Sequence, residues 1–302
     1  MTLTGPALWW RLLVIGGLWG CSFPLLRLIA ADMSPFALAA LRGGFAALGV
    51  LAFLLVTRQF GGKLQLRHWL VLGTTNGWVP NLLTALALGS IESAPAALIH
   101  AATPLLVAVL SVPLLREEKP GARGVAGLLV GFAGIALILG PDAVSGRASF
   151  LGGVLILLSG VSYALGTIYA RRVRPGAPAQ LALGQQLVSG GVAAMLSVPF
   201  APAGAYDLPL WVFGITALLG IFASALPLTM FLSLLARARV NDASLVGYLQ
   251  PPFAAAAGAL MLGEVPSALV LAGGTVVLAG VWLATSQPHR PTGREPPEVS
   301  RP

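Results

Sequence analysis

The chain has 302 residues, 57% of them hydrophobic and 9% charged, with a mean hydropathy of +0.87, whereas an ordinary soluble protein carries about 25% charged residues. No soluble fold of this length has interior enough to hide that much apolar surface, so lipid must be the solvent for most of the exterior. The net charge of +8 does not point to nucleic acid, because Lys and Arg are spaced between apolar runs rather than gathered together, and a single cysteine, Cys21, excludes an intramolecular disulfide and a cysteine-rich metal framework.

A helix needs about 20 mainly apolar residues to cross the hydrocarbon core. The first such run lies near 9–30: Arg11 precedes it, and it continues through Trp19 and Phe23 to Ala30 without the small-residue cleavage site of a secretory signal. Further runs lie near 36–57, 68–88, 93–115, 122–140, 151–170, 180–200, 209–234, 242–262 and 267–286. They are separated by short connections marked by Pro, Gly or charge, such as Gly61-Gly62-Lys63 and Arg174-Pro175-Gly176. The runs lack strict alternation and are twice the length of a barrel strand, so helices are implied.

Ten spans place both termini on one side. Fifteen of the eighteen Lys and Arg fall on that terminal side, from Arg11 and Arg58 through Arg171 to Arg301; Arg27 and Arg147 fall on the other, and Arg42 lies inside a span. This asymmetry predicts cytoplasmic termini in a multi-pass membrane protein. Residues 287–302 turn to Pro, Arg and Glu and read as a flexible cytoplasmic tail.

The chain repeats itself. Glu118, Pro120, Ala126, Gly127, Ala133, Gly134 and Leu137 recur as Glu264, Pro266, Ala272, Gly273, Ala279, Gly280 and Leu283, and small changes of offset bring Pro80 onto Pro227 and Arg27 onto Arg171. The halves, 9–140 and 151–286, hold five spans each. Five is odd, so the second copy enters the membrane from the opposite side. The expected fold is an all-α integral membrane protein of ten transmembrane helices in two inverted-topology five-helix repeats, a plan that recurs in secondary transporters. A duplication with only structural meaning is the alternative.

Charge inside hydrocarbon costs about 2.5–3.5 kcal/mol on the mildest scale, which makes Arg42 a functional candidate. It either faces a central cavity and meets anionic substrate groups or snorkels to the interface. His100 either titrates and couples protons to transport or bonds a neighbouring carbonyl. Asn76, Asn81, Gln185 and Gln250 either line a cavity or join helices; Tyr163 and Tyr248 add ring faces and hydroxyls. Trp19 and Trp78 are candidate cavity walls, while Trp9, Trp10, Trp69, Trp211 and Trp282 suit the interfaces. Pro24, Pro80, Pro104, Pro227, Pro251 and Pro252 each remove a backbone donor; they are candidate hinges, or ordinary kinks satisfied locally. Gly16-x-x-x-Gly20, Gly73-x-x-x-Gly77 and Gly127-x-x-x-Gly131 permit close helix contact, a weak signal in a chain with 37 glycines. There is no GxxxxGK[ST] or HExxH sequence and no cysteine-rich metal signature, so neither an ATPase, a metalloenzyme nor any cofactor is indicated.

The order Trp19-Gly20-Cys21-Ser22-Phe23-Pro24, Pro35 seven residues before Arg42, and Pro104 before Glu117-Glu118 and its glycine-rich sequel resembles the drug/metabolite transporter superfamily, in particular its ten-span EamA-type exporters. The resemblance covers roughly 9–286 and departs at Pro251-Pro252. It implies a multi-pass secondary carrier of a bacterial inner membrane exporting neutral or aromatic amino acids, or related metabolites, by alternating access, with proton entry as a candidate coupling; Arg42 matches the second-span arginine and Trp19-Gly20 the first-span motif. Expected partners are membrane lipid, a small-molecule substrate and protons, with no nucleic acid and the oligomeric state open. A multidrug or nucleoside carrier of the same superfamily, a channel and a lipid scramblase are the other readings.

Overall fold

The computed structural model describes residues 6–58, 66–115, 121–145, 148–173, 178–235 and 246–285. The loop residues Lys63, Glu118, Arg147, Arg174 and Asn241 and the tail 287–302 lie outside them. The described residues form ten helices, numbered here in chain order. Helix α1 is Pro6–Ile29 and α2 is Pro35–Thr57. Helix α3 spans 66–88, with a π-helical turn at Thr74–Trp78, and α4 joins Ser93–His100 to Thr103–Leu115 across a break. Helix α5 is Ala122–Ser145, α6 Ala148–Val173 and α7 Pro178–Phe200. Helix α8 spans 210–235 with a π-helical turn at Ile221–Ala225, α9 is Val246–Leu262 and α10 Ala268–Thr285.

Seven helices are long and apolar enough to cross a membrane, and α9 and α10 are shorter apolar helices. The outer surface is apolar: Val56 is 83% exposed, Val198 83% and Leu260 87%. Those side chains need a hydrocarbon solvent, and the protein is an all-helical, multi-pass membrane protein. Trp9, Trp10, Trp211 and Trp282, each within a few residues of a helix end, are exposed, where an amphipathic ring meets the headgroups.

The two halves are related by a two-fold axis that the contacts themselves reveal. Helices α2 and α7, equivalent in the two repeats, cross at Gly43 and Gly190, 147 residues apart; a Cβ on Gly43 would stand 2.6 Å from both the nitrogen and the Cα of Gly190. The other self-mating pair is α5 with α10. There the glycines of the sequence repeat meet one another: Gly134 faces Val277 and the Gly273 carbonyl, Gly131 faces Gly280, and Gly127 faces Ala284. The recurrence of two glycines seven apart thus records one requirement, backbones close enough to pack without side chains between them. The first two Gly-x-x-x-Gly pairs are contacts too: Gly16 and Gly20 of α1 lie against Leu249, Gln250 and Phe253 of α9, and Gly73 and Gly77 of α3 against Val188 and Ser189 of α7.

The same symmetry places the π turns. Thr74–Trp78 and Ile221–Ala225 lie 147 residues apart, each ending two residues before a proline, Pro80 or Pro227. A proline inside a helix clashes with the carbonyl four residues back and donates nothing to it. Widening the preceding turn resolves the clash: Val79 N–H donates to the Thr74 carbonyl and Leu226 N–H to the Ile221 carbonyl, both five residues back.

The buried apolar residues among those described form one main cluster and smaller ones. Phe23, Leu26 and Ile29 of α1, Leu38 of α2, Leu88 at the end of α3, Ile91 after it, Ile99 of α4, Ile156 of α6, Val212 of α8 and Val277 and Val281 of α10 belong to the main cluster. Leu8, Leu12, Ile15, Leu234 and Val246 form a second group on the terminal side, and Ala46, Val50, Leu54, Ala182 and Ala225 a third. Across the far face, the Arg27 guanidinium of α1 pairs with the Glu264 carboxylate that follows α9. Arg27 also donates to the Ile91 carbonyl, and Glu264 accepts the Ser93 N–H at 3.0 Å, which caps the first turn of α4.

Candidate functional site

Arg42 is the only Lys, Arg, Asp or Glu in the buried set among the described residues. It does not snorkel. Its Nε donates to Ser224 Oγ at 2.9 Å, at the π turn in the middle of α8, and Tyr163 of α6 is within electrostatic reach. The widened turn matters locally, because it positions a hydroxyl where a regular helix would turn it elsewhere. His100 of α4 stands edge-on to Tyr163, ring centroids 5.4 Å apart, and 5.8 Å from Phe23 of α1. Helices α1, α2, α4, α6 and α8 therefore converge on a cation, a hydroxyl and three ring systems. The His100 Nδ1 is buried with no hydrogen-bond partner in the structure.

The remaining sequence candidates divide. Gln185 Nε2 donates to the Asn76 carbonyl at 3.2 Å, the oxygen four residues before Pro80 and therefore released by it. Ser162 Oγ does the same for the Thr75 carbonyl at 2.7 Å, and the Thr103 hydroxyl for the His100 carbonyl, four residues before Pro104, at 2.6 Å. These side chains replace hydrogen bonds that proline removes. Asn81 donates to Ser189 Oγ at 3.5 Å, Trp78 Nε1 to Thr74 Oγ1 at 3.2 Å, and both belong to this α3–α7 seam. Asn76 Oδ1 and Gln186 Oε1 are buried without partners. Trp19 packs edge-on against Phe231, 5.3 Å between centroids, in the terminal-side cluster of α1, α8 and α9. Gln250 and Pro251 are buried in α9, whose Gln250 carbonyl faces Gly20, Tyr248 packs on the main cluster, Pro24 is buried in α1, and Pro252 is exposed.

Substituting Gln185 by leucine strands the Asn76 carbonyl in the membrane interior. We expect the apparent melting temperature to fall by an amount matching about 1–2 kcal/mol, with the KM of transport unchanged; a changed KM with unchanged stability would return Gln185 to the substrate site.

Sequence reading did not find Ser224, Phe23 as a ring partner, or the Arg27–Glu264 bridge. Ser224 has a signal in retrospect. The position equivalent to Arg42 in the second repeat is Ser189, which packs on Gly77, and Gly77 lies 147 residues before Ser224, so the Arg42–Ser224 bond is the image of that contact.

An inverted-repeat helical bundle with a buried cation among its helices is a plan that recurs in membrane transporters. The sequence profile of the EamA-like transporter family matches residues 8–140 and again 150–286, and the chain belongs to that family, within the drug/metabolite transporter superfamily. Its relatives are transporters. It is 28% identical over 298 residues to the uncharacterized transporter sll0355 of Synechocystis, an alignment covering 88% of this chain and 86% of that one. It is 27% identical over 291 residues to the uncharacterized transporter YvbV of Bacillus subtilis, covering 94% and 92%. The uncharacterized inner membrane transporter YedA of Escherichia coli is 27% identical over 276 residues, covering 87% and 86%. A solved crystal structure with 20% sequence identity superposes with a TM-score of 0.65 over 91% of this chain and 95% of that one, so the two share a fold.

Proposed function

We propose that this transporter exports small carboxylate-bearing metabolites, neutral or aromatic amino acids first among them, by alternating access through a central site at Arg42. The observation that carries the reading is Arg42 itself: a cation buried in the bundle with a hydroxyl and an aromatic ring beside it, and no carboxylate among the described residues bonded to it. An uncompensated buried charge destabilises the fold by several kcal/mol, and a bound carboxylate offsets that loss. Phe23, His100 and Tyr163 supply ring faces for an apolar side chain.

Alternating access draws support from the two matched π turns, which are places where a helix can change its hydrogen-bond register without losing its course. The Arg27–Glu264 bridge, which ties the far end of α1 to the segment after α9, supports it as well: with the termini in the cytoplasm, as the Lys and Arg distribution predicts, it is a latch on the outer face.

Counterflow in proteoliposomes tests the proposal. Vesicles loaded with unlabelled phenylalanine, leucine or threonine should accelerate entry of the labelled amino acid in a saturable manner. Flux without saturation would favour a channel, and flux of nucleosides or cationic drugs alone would remove the amino-acid reading.

A further inference from the structure

Arg42 is unusual for what surrounds it. Among the described residues, Asp142 is the only Asp or Glu inside a helix, three residues from the end of α5. Asp32, Glu92, Asp207 and Glu264 sit in the connections on the far side, and Glu264 is already paired with Arg27. Arg42 donates one hydrogen bond, from Nε, to a neutral hydroxyl; its two terminal nitrogens have no acceptor among the described residues. A guanidinium presents five donors in a planar fork. The fork left open here suits a carboxylate bound through two parallel bonds.

The same inventory says what is missing. Recognition of a substrate ammonium inside a membrane calls for an anionic partner or a cage of aligned oxygens. Among the described residues Arg42 meets Ser224 through a hydrogen bond and Tyr163 within electrostatic reach, with His100 against the Tyr163 ring and Phe23 against His100: one hydroxyl already engaged with the guanidinium, one phenol, one imidazole and one hydrocarbon ring. None of them is an anion. The two repeats differ at this point as well, since the position equivalent to Arg42 is the uncharged Ser189.

Resting on the carboxylate reading above, we infer that the central site selects solutes by their carboxylate: it binds a monocarboxylate with an apolar or aromatic tail through Arg42 and Ser224, and it has no anionic subsite for a positively charged amine. An amino acid is then held by its carboxylate alone. Masking its ammonium by acylation removes a charge that the site cannot match, so the N-acylated acid binds at least as tightly as the free zwitterion. The corresponding amine, which repels the guanidinium, does not bind.

The test uses the purified full-length protein in lipid nanodiscs and three probes of one shape: N-acetylphenylalanine, phenylalanine and phenylethylamine. Calorimetric titration should rank affinity in that order, with the first at least equal to the second and the amine without measurable binding. Arg42→Gln should weaken N-acetylphenylalanine at least thirtyfold, and Arg42→Lys should recover part of the loss; Ser224→Ala should weaken it several-fold. Because Arg42→Gln removes a buried charge, its melting temperature should hold or rise, which separates lost binding from lost fold. Binding of N-acetylphenylalanine alone would keep the anion site and sink the amino-acid cargo. Binding of phenylalanine and phenylethylamine, indifferent to Arg42, would keep an amine-bearing cargo and overturn the anion site. Silence from all three probes in a folded protein overturns both.

Discussion

Leucine at Gly43 should abolish the folded protein, while leucine at the adjacent Gly44 should leave it intact. At Gly43 the first added carbon already stands 2.6 Å from two backbone atoms of Gly190, whereas at Gly44 nothing lies within 4 Å. Overpacking a core that can relax costs about 1–3 kcal/mol. Here the obstruction is main chain, which no rotamer change moves aside, so α2 and α7 must separate along their length and the cost reaches or exceeds the top of that range. The second repeat supplies an independent copy of the experiment: Gly190→Leu should fail and Gly191→Leu, again with nothing within 4 Å, should fold. Fluorescence-detected size exclusion of fusions in mild detergent reads the outcome. A monodisperse Gly43→Leu protein with wild-type melting would show that the two-fold crossing is not where the structure places it.

Glutamine at Glu264 should open the far face. The carboxylate holds the Arg27 guanidinium and caps α4 at Ser93, joining α1, α4 and the end of α9 in one contact. Breaking a buried ion pair costs about 3–5 kcal/mol. The Arg27 side chain is 30% exposed and the Glu264 side chain 8%, so screening reduces the figure to about 2 kcal/mol, a shift of roughly thirtyfold between closed and open forms. The measurement places one cysteine at Leu26, a buried position of the far-side core, in a chain with Cys21 replaced by serine. An impermeant maleimide added from the side opposite the termini should label that cysteine roughly thirtyfold faster in Glu264→Gln. Equal labelling rates would make the bridge a static brace.

Much of this architecture is written in the chain because lipid imposes a simple rule. Backbone groups in hydrocarbon must bond within their own helix, so length and apolarity alone place a span, and the ten expected segments coincide with the ten observed helices to within a few residues at most ends. The repeat was legible for a related reason: Gly127, Gly134, Gly273 and Gly280 are kept small by direct contact between backbones, and such contacts tolerate no substitute. The prolines were legible as irregularities, but Pro80 and Pro227 did not say how the irregularity is accommodated.

The polar residues divided differently. A glutamine in a span reads alike whether it faces a solute or a stranded carbonyl, and only the fold puts Gln185 on the oxygen that Pro80 releases. Arg42 announces itself by its cost, yet Ser224 lies 182 residues away, brought to it by the crossing of α2 and α8.

By itself, then, the amino-acid sequence determined that the chain is membrane-embedded and helical, how many times it crosses, and that it is built twice with opposite orientation, because solvation by lipid acts on each segment locally. Which polar groups support the backbone, and which cation lies beside a hydroxyl with no carboxylate bonded to it among the described residues, were decided by tertiary structure, because contacts such as Gln185–Asn76 and Arg42–Ser224 join segments more than a hundred residues apart.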